Sequence, residues 1–290
     1  MNLNSTMSNE NIDFIRDMYI VGKRMIEKLN ESIEKDDVVW NSLHLLIQRI
    51  PLSCDSLLLL VCYARHNVNF DAPVILRSIY DAVLQGLYIL NDPCHREERA
   101  RLFLDYFWIE QHEHVRNMDK NPLPIALYIQ YSPYRKSYEP ELEREFARVK
   151  DKYLKQKGRL RGNWYPGNLR ELAKQVNLEE EYDLLQKQLS GAVHSSPFVL
   201  KCGGTYFRGL HVLTAAILLL FRLLGQTAEF AGIALTDEER SIIERASGSI
   251  FGTVDEFIRE SRVPEALRNE FLQRLADGGW GSIGKSECDE

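Results

Sequence analysis

Arg77, Asp81, Gln85 and Tyr88 stand at steps of four, four and three, a spacing that brings all four side chains to one face of a helix. The rest of that segment is apolar, with Val74, Ile75, Leu76, Ile79, Val83, Leu84 and Leu87. A charged stripe on such a helix must face water or a polar pocket, because an unpaired buried charge is costly. Two readings follow, an intrahelical Arg77–Asp81 pair at the surface or a functional pocket. A second group lies downstream, where Ser190 and His194 are four apart and Ser195 follows. At a helix end, the negative pole of the dipole favours a protonated histidine, which suits general acid work. The alternative is a helix stop in which His194 and the serines satisfy terminal carbonyls.

The elements that must position these residues read as helices. Apolar residues from Asn11 to Ile33 recur at three- and four-residue steps, the mark of an amphipathic helix. The same period runs from Val38 to Ile50 and stops at Pro51, and Ser53 to Asn67 forms the next helix. Asp71 before Ala72-Pro73 is expected to cap a helix that ends near Leu90. Further helices are expected over Arg96 to Asp119, Pro140 to Lys157, Leu169 to Val176, Glu179 to Val193, Thr205 to Gly232, Thr236 to Glu260 and Pro264 to Ala276. No strand pattern or internal repeat interrupts them. The expected fold is all-α, a multi-helix bundle of about ten helices around a buried central helix. That central helix holds Val212 to Phe221, an apolar run ended by Arg222 and well short of the ~20 residues needed to span a bilayer. One large domain over 1–276 is expected, with its motif-bearing core at about 67–230 and a flexible tail at 277–290.

Composition narrows the function classes. Of 290 residues, 44% are hydrophobic and 27% charged, a globular balance that leaves enough apolar surface for a sizeable core. A net charge of -6 argues against a surface that is basic throughout, so any nucleic acid would be met locally. Cys54, Cys62, Cys94, Cys202 and Cys288 are scattered and odd in number, which fits neither a disulfide framework nor a zinc knuckle. With no basic segment leading into an apolar one at the start, the expected location is the cytoplasm, with no membrane partner.

Four stretches together carry a family resemblance. Leu76-Arg77-Ser78-Ile79-Tyr80-Asp81, Tyr88-Ile89-Leu90, Glu97-Glu98-Arg99-Ala100 with Phe103 and Asp105-Tyr106, and Tyr182 through His194-Ser195-Ser196 resemble a widespread bacterial helical family known as a domain of unknown function. That family's pattern is an arginine followed four residues later by an acidic residue, usually glutamate, and a downstream Ser-x-x-x-His-Ser. Asp81 departs from it by one methylene. The resemblance covers roughly Asn67 to Pro197 and groups Arg77, Asp81, Tyr106, His194 and Ser195 as one site, with no reaction attached. A looser likeness is to the helical ribonuclease and nucleotide-binding domains of prokaryotic defence and toxin systems. Their signature of arginine four to six residues before histidine is absent at His194, where Gln188 and Ser190 stand instead, so Arg77 would have to replace that arginine across the fold. It would then hold a scissile phosphate while His194 moved a proton in a metal-free transesterification.

Other constellations are weaker. Glu110 and His114, four apart, share a helical face, but a bundle di-metal site needs Glu-x-x-His pairs on two helices, and none is present; no metal and no cofactor is expected. Basic residues from Arg135 to Arg170, interleaved with Tyr138, Tyr153, Trp164 and Tyr165, read as a guide for RNA or as a mixed-charge helical surface. Phosphate loops, dinucleotide fingerprints, serine-hydrolase elbows and zinc-protease motifs are missing. The expected activity is a toxin-like or phage-defence ribonuclease with Arg77, Asp81 and His194 as catalytic residues. Tyr88, Tyr106, Ser190, Ser195 and Trp164 are its expected substrate contacts. RNA or a nucleotide is the expected partner, with a homodimer left open. The alternative is a non-catalytic binding or scaffold module in which the same residues form a structural polar network.

Overall fold

The computed structural model describes residues 9–33, 36–63, 68–120, 138–155, 158–183 and 209–248. The fold is all-α, and among the described residues the only extended pairing is an isolated bridge between Leu154 and Leu160. In chain order the helices are α1 (Asn9–Ser32), α2 (Val38–Tyr63), α3 (Val68–Leu90), α4 (Arg96–Lys120), α5 (138–149), α6 (Leu169–Gln175), α7 (179–183), α8 (Gly209–Ala231) and α9 (Asp237–Ser247). The chain divides into two compact units, one drawn from Met1–Asn91 with Leu169–Glu290, the other from Asp92–Asn168.

In the first unit α8 packs against α1, α2, α3 and α9. The reason is in its composition: Val212, Leu213, Ala216, Leu219, Leu220, Phe221, Leu223 and Leu224 are fully buried, and a helix apolar on every side must be covered on every side. Two of its crossings are close. A Cβ at Gly86 of α3 would lie 2.6 Å from Leu223 Cδ1, and one at Gly225 of α8 would lie 2.7 Å from Ile243 Cγ2 of α9. By length and composition α8 over His211–Ala231, α2 over Val38–Leu60 and α3 over Asp71–Leu90 are each long and apolar enough to cross a membrane.

Local signals were overridden in two places. The spacing ends a helix at Pro51, yet α2 runs through it. Ile47, Ile50, Cys54 and Leu57, at steps of three and four, are all buried on one face, so continuing the helix keeps a single apolar stripe in the core at the expense of one backbone hydrogen bond. Tyr19 of α1 donates its hydroxyl to the Pro51 carbonyl at 2.8 Å. The expected N-cap at Asp71 is likewise corrected, because α3 begins at Val68 and Asp71 lies in its first turn, where an acidic side chain still complements the helix dipole. Cys54 is a core residue, its thiol pushed up to about 12 by burial first and by Asp55 second.

The helix expected from Thr236 to Glu260 is shorter within the described residues. Thr236 caps α9 by accepting from the Glu239 N–H at 3.2 Å, while Glu239 Oε2 accepts from the Thr236 N–H at 2.7 Å. Lys28 of α1 reaches the same end, donating to the Ala234 carbonyl at 2.6 Å. The helix stops before Gly248. The helix expected over Pro264 to Ala276 and the tail lie outside the described residues.

The second unit holds α4, α5 and a 3-10 turn at Lys150–Tyr153. Tyr106, Ile109, Leu142, Val149, Tyr153, Trp164 and Tyr165 form its core. Two of its tyrosine hydroxyls are spent on backbone. Tyr153 donates to the Leu102 carbonyl at 2.6 Å and Tyr106 to the Arg161 carbonyl at 3.0 Å, which satisfies groups that burial would otherwise strand.

Candidate functional site

The polar stripe expected on α3 is present. Arg77 Nε donates to both oxygens of Asp81, each at 3.0 Å, the four-residue spacing bringing the two side chains together on one turn of helix. Gln85, one turn further, donates to the Asp81 carbonyl at 3.1 Å. The pair is half-open, with 20% of the Arg77 side chain and 32% of the Asp81 side chain exposed. Burial pushes the Asp81 carboxyl above its ordinary value, and the charges of Arg77 and Arg49 only partly pull it back. Arg49 stands on α2 beside this face and donates to Ser78 at 2.7 Å. Tyr88, the fourth member of the stripe, is buried.

A second charged set, which spacing did not reveal, sits in the same unit. Arg222 of α8 donates through Nε to the Ala246 carbonyl at 2.6 Å and contacts the Gly248 carbonyl, so it holds the C-terminal end of α9. Both of its Nη groups face Glu181 Oε1 at 3.5 Å. This pair is sealed, with 12% and 8% of the side chains exposed. Burial, foremost, lowers the Arg222 pKa, with Glu181 and Tyr80 opposing the shift. Tyr80, fully buried on α3, donates to the Leu178 carbonyl at 3.1 Å, and its phenol is raised by burial first and then by Glu181 and Asp81. The sequence carried one clue to this network: a lone arginine ending an apolar run requires a buried partner. Nothing marked Glu181 as that partner, since it sits within the acidic run Glu179-Glu180-Glu181.

The other expected site residues fall as follows. Ser190, His194 and Ser195 lie outside the described residues. Tyr106 and Trp164 belong to the second unit and are buried; Trp164 packs edge-on against Phe103 and Tyr165, with ring centroids 5.4 and 5.6 Å apart. No group of three or more His, Cys, Asp or Glu side chains suited to a metal occurs among the described residues. His112 stacks on Phe146 at 3.6 Å and faces Glu143 at 3.3 Å.

Much of the basic charge around α5 is already matched. Arg144 and Arg148 pair with Glu145, and Arg148 and Lys152 converge on Asp105 at 2.9 and 2.6 Å. In the first unit Arg170 pairs with Glu179 and Asp183. Burial alone would raise the Asp105 carboxyl, but hydrogen bonds from Lys152 and Arg148, with their charges, hold it below the usual carboxylate range. A carboxyl depressed by folding contributes stability that is complete above its unfolded pKa of about 3.9 and is lost as pH falls through the folded value. Asp105→Asn is therefore expected to lower stability by about 1 kcal/mol at neutral pH. Urea titrations should show the gap to wild type closing below about pH 4; a gap that is the same in acid and at neutrality would contradict this origin.

A family model described as a family of unknown function, DUF5677, matches residues 41–203, more than half of the chain. No curated protein and no solved structure matches the chain.

Proposed function

The chain belongs to DUF5677, a family of unknown function, and from that premise we propose that it is a metal-independent endoribonuclease whose site is built on the open face of α3. The observation that carries this reading is the contrast between the two charged pairs. Arg222 and Glu181 are sealed and tie helices together, whereas Arg77 and Asp81 are half-open. An exposed i, i+4 pair contributes only about 0.5 kcal/mol to a helix, so stability does not account for placing a partly desolvated carboxylate there.

In this reading Asp81 fixes the Arg77 guanidinium through Nε, and the Nη groups meet a phosphate in the forked geometry that arginine favours. The 2'-hydroxyl of RNA gives its proton to His194 as its oxygen bonds to phosphorus, the bond from phosphorus to the 5'-oxygen breaks, and His194 passes that proton to the departing 5'-oxygen. Ser190 and Ser195 supply hydroxyls for the same phosphate. The proposal gives no substrate contact to Tyr88, Tyr106 or Trp164, which are buried. A cytoplasmic, toxin-like or phage-defence role without cofactor or membrane partner goes with this activity.

A second reading, a non-catalytic helical module, is favoured by the matching of Arg144, Arg148, Lys152 and Arg170 with acidic partners, which leaves less basic surface for RNA. One experiment separates the two. Wild type and His194→Ala, shown by circular dichroism to be equally folded, are incubated with total cellular RNA in EDTA. Cleavage by wild type that the variant lacks is the expected result; intact RNA with both proteins favours the non-catalytic module.

A further inference from the structure

Arg49 is an exposed arginine on α2 that makes no ion pair among the described residues. Its Nη2 donates instead to the Ser78 hydroxyl of α3 at 2.7 Å, across the seam where α2 and α3 pack together. Other exposed arginines face carboxylates, as Arg24 does Glu238, Arg101 Glu97 and Arg148 Asp105. On the seam the balance is different. The charged groups that act on Asp81 are both arginines, Arg77 and Arg49, so one carboxylate serves two guanidinium groups and a positive charge is left in excess.

The placement of those two groups decides what they can hold. A helix turns about 100° per residue, so around α3 Arg77 falls about 40° to one side of Asp81 and Ser78 about 60° to the other. Arg49 is held on the Ser78 side, and the two guanidinium groups therefore flank the carboxylate. A single phosphate bridging both would lie over Asp81 and be repelled by it. Two phosphates, one on each flank, avoid that charge.

We propose that Arg49 binds a second phosphate of the same RNA strand, next to the one held by Arg77, so that the site takes a strand with two consecutive phosphates rather than a lone phosphodiester. The proposal rests on the reading of the Arg77 face as an RNA site. Arg49 has about four N–H donors beyond the one given to Ser78, enough for the forked contact arginine makes with phosphate. Ser78 is the acceptor in its bond to Arg49 and keeps its own O–H to give to the same phosphate.

The test uses 2'-O-methyl uridine dinucleotides, whose blocked 2'-oxygen prevents transesterification, with and without an added phosphate at the 5' or the 3' end. Each is titrated calorimetrically into the full chain in EDTA, with folding of every variant checked by circular dichroism. Wild type should bind one of the phosphorylated forms about tenfold more tightly than the unphosphorylated one. Arg49→Gln should bind all three within about twofold of one another, and Arg49→Lys, which keeps the charge, should retain part of the gain. Arg24→Gln, which removes an exposed arginine of α1, should behave as wild type. With a longer 2'-O-methyl oligomer, the slope of log affinity against log salt should become shallower by about 0.7 in Arg49→Gln. A gain that Arg49→Gln keeps, or that Arg24→Gln loses to the same extent, overturns the role of Arg49 and leaves the Arg77 site standing. So does a wild type that gains less than about twofold from either added phosphate while still cleaving RNA. A wild type that binds none of the dinucleotides and leaves total cellular RNA intact overturns the RNA reading, and this proposal with it.

Discussion

Arg77→Lys is expected to cut RNA cleavage by about a hundredfold while shifting stability by less than about 1 kcal/mol. Lysine keeps the positive charge but loses the planar fork, so it cannot bond Asp81 through one nitrogen and present two others to a phosphate. Its cost to folding is small because an i, i+4 pair on a half-open face contributes little. Asp81→Asn tests the other half of the pair. It preserves shape and removes a charge whose desolvation already pushes the carboxyl upward, so what stability loses in pairing with Arg77 it recovers in desolvation. Activity should nonetheless fall, because the amide no longer anchors the guanidinium. Single-turnover cleavage of a short RNA, set beside urea denaturation of the same preparations, reads both quantities. Variants that unfold readily yet cleave as well as wild type would move the pair from chemistry to structure.

Replacing Arg222 has the opposite signature. Arg222→Met should destabilise the first unit by about 3–5 kcal/mol, because it leaves the Glu181 carboxylate buried without its partner. The same change frees the carbonyl of buried Ala246 from the side chain that now satisfies it, and an unsatisfied buried acceptor adds to the loss. The double variant Arg222→Met with Glu181→Leu should recover a large part of that stability, since an apolar pair of similar volume often replaces a buried ion pair at little cost. Urea midpoints of the two singles and the double close a mutant cycle. A single Arg222 variant within about 1 kcal/mol of wild type would mean that solvent reaches this pair in solution.

How far the sequence revealed all this depended on the range of each interaction. Helical period placed α1, α4 and α6 to within about two residues, and the Arg77–Asp81 pair followed from spacing because its partners lie one turn apart. Pro51 and Asp71 misled for one physical reason: both are local signals, and the core contacts of Ile47, Ile50, Cys54 and Leu57 in α2, and of Ala72 and Leu76 in α3, outweigh them. Arg222 was legible as an anomaly and Glu181 was not, because the two are 41 residues apart and only packing brings them together. The matching of Arg148 and Lys152 to Asp105 likewise crosses more than 40 positions, so spacing along the chain does not show that these two cations have an acidic partner.

The crossing of α3 and α8 has a consequence for how this lineage can change. Because the missing side chain at Gly86 is the space that Leu223 fills, the two positions share one fixed volume. Alanine at 86 is compatible with valine at 223 more readily than with leucine, and mutations accepted at one site depend on what already occupies the other. Gly86 lies inside the stretch 41–203 that the family model matches, and Leu223 lies beyond it. Covariation between the two across full-length relatives would therefore reveal an inherited unit longer than the matched stretch, one in which α8 descends together with the helix it packs against.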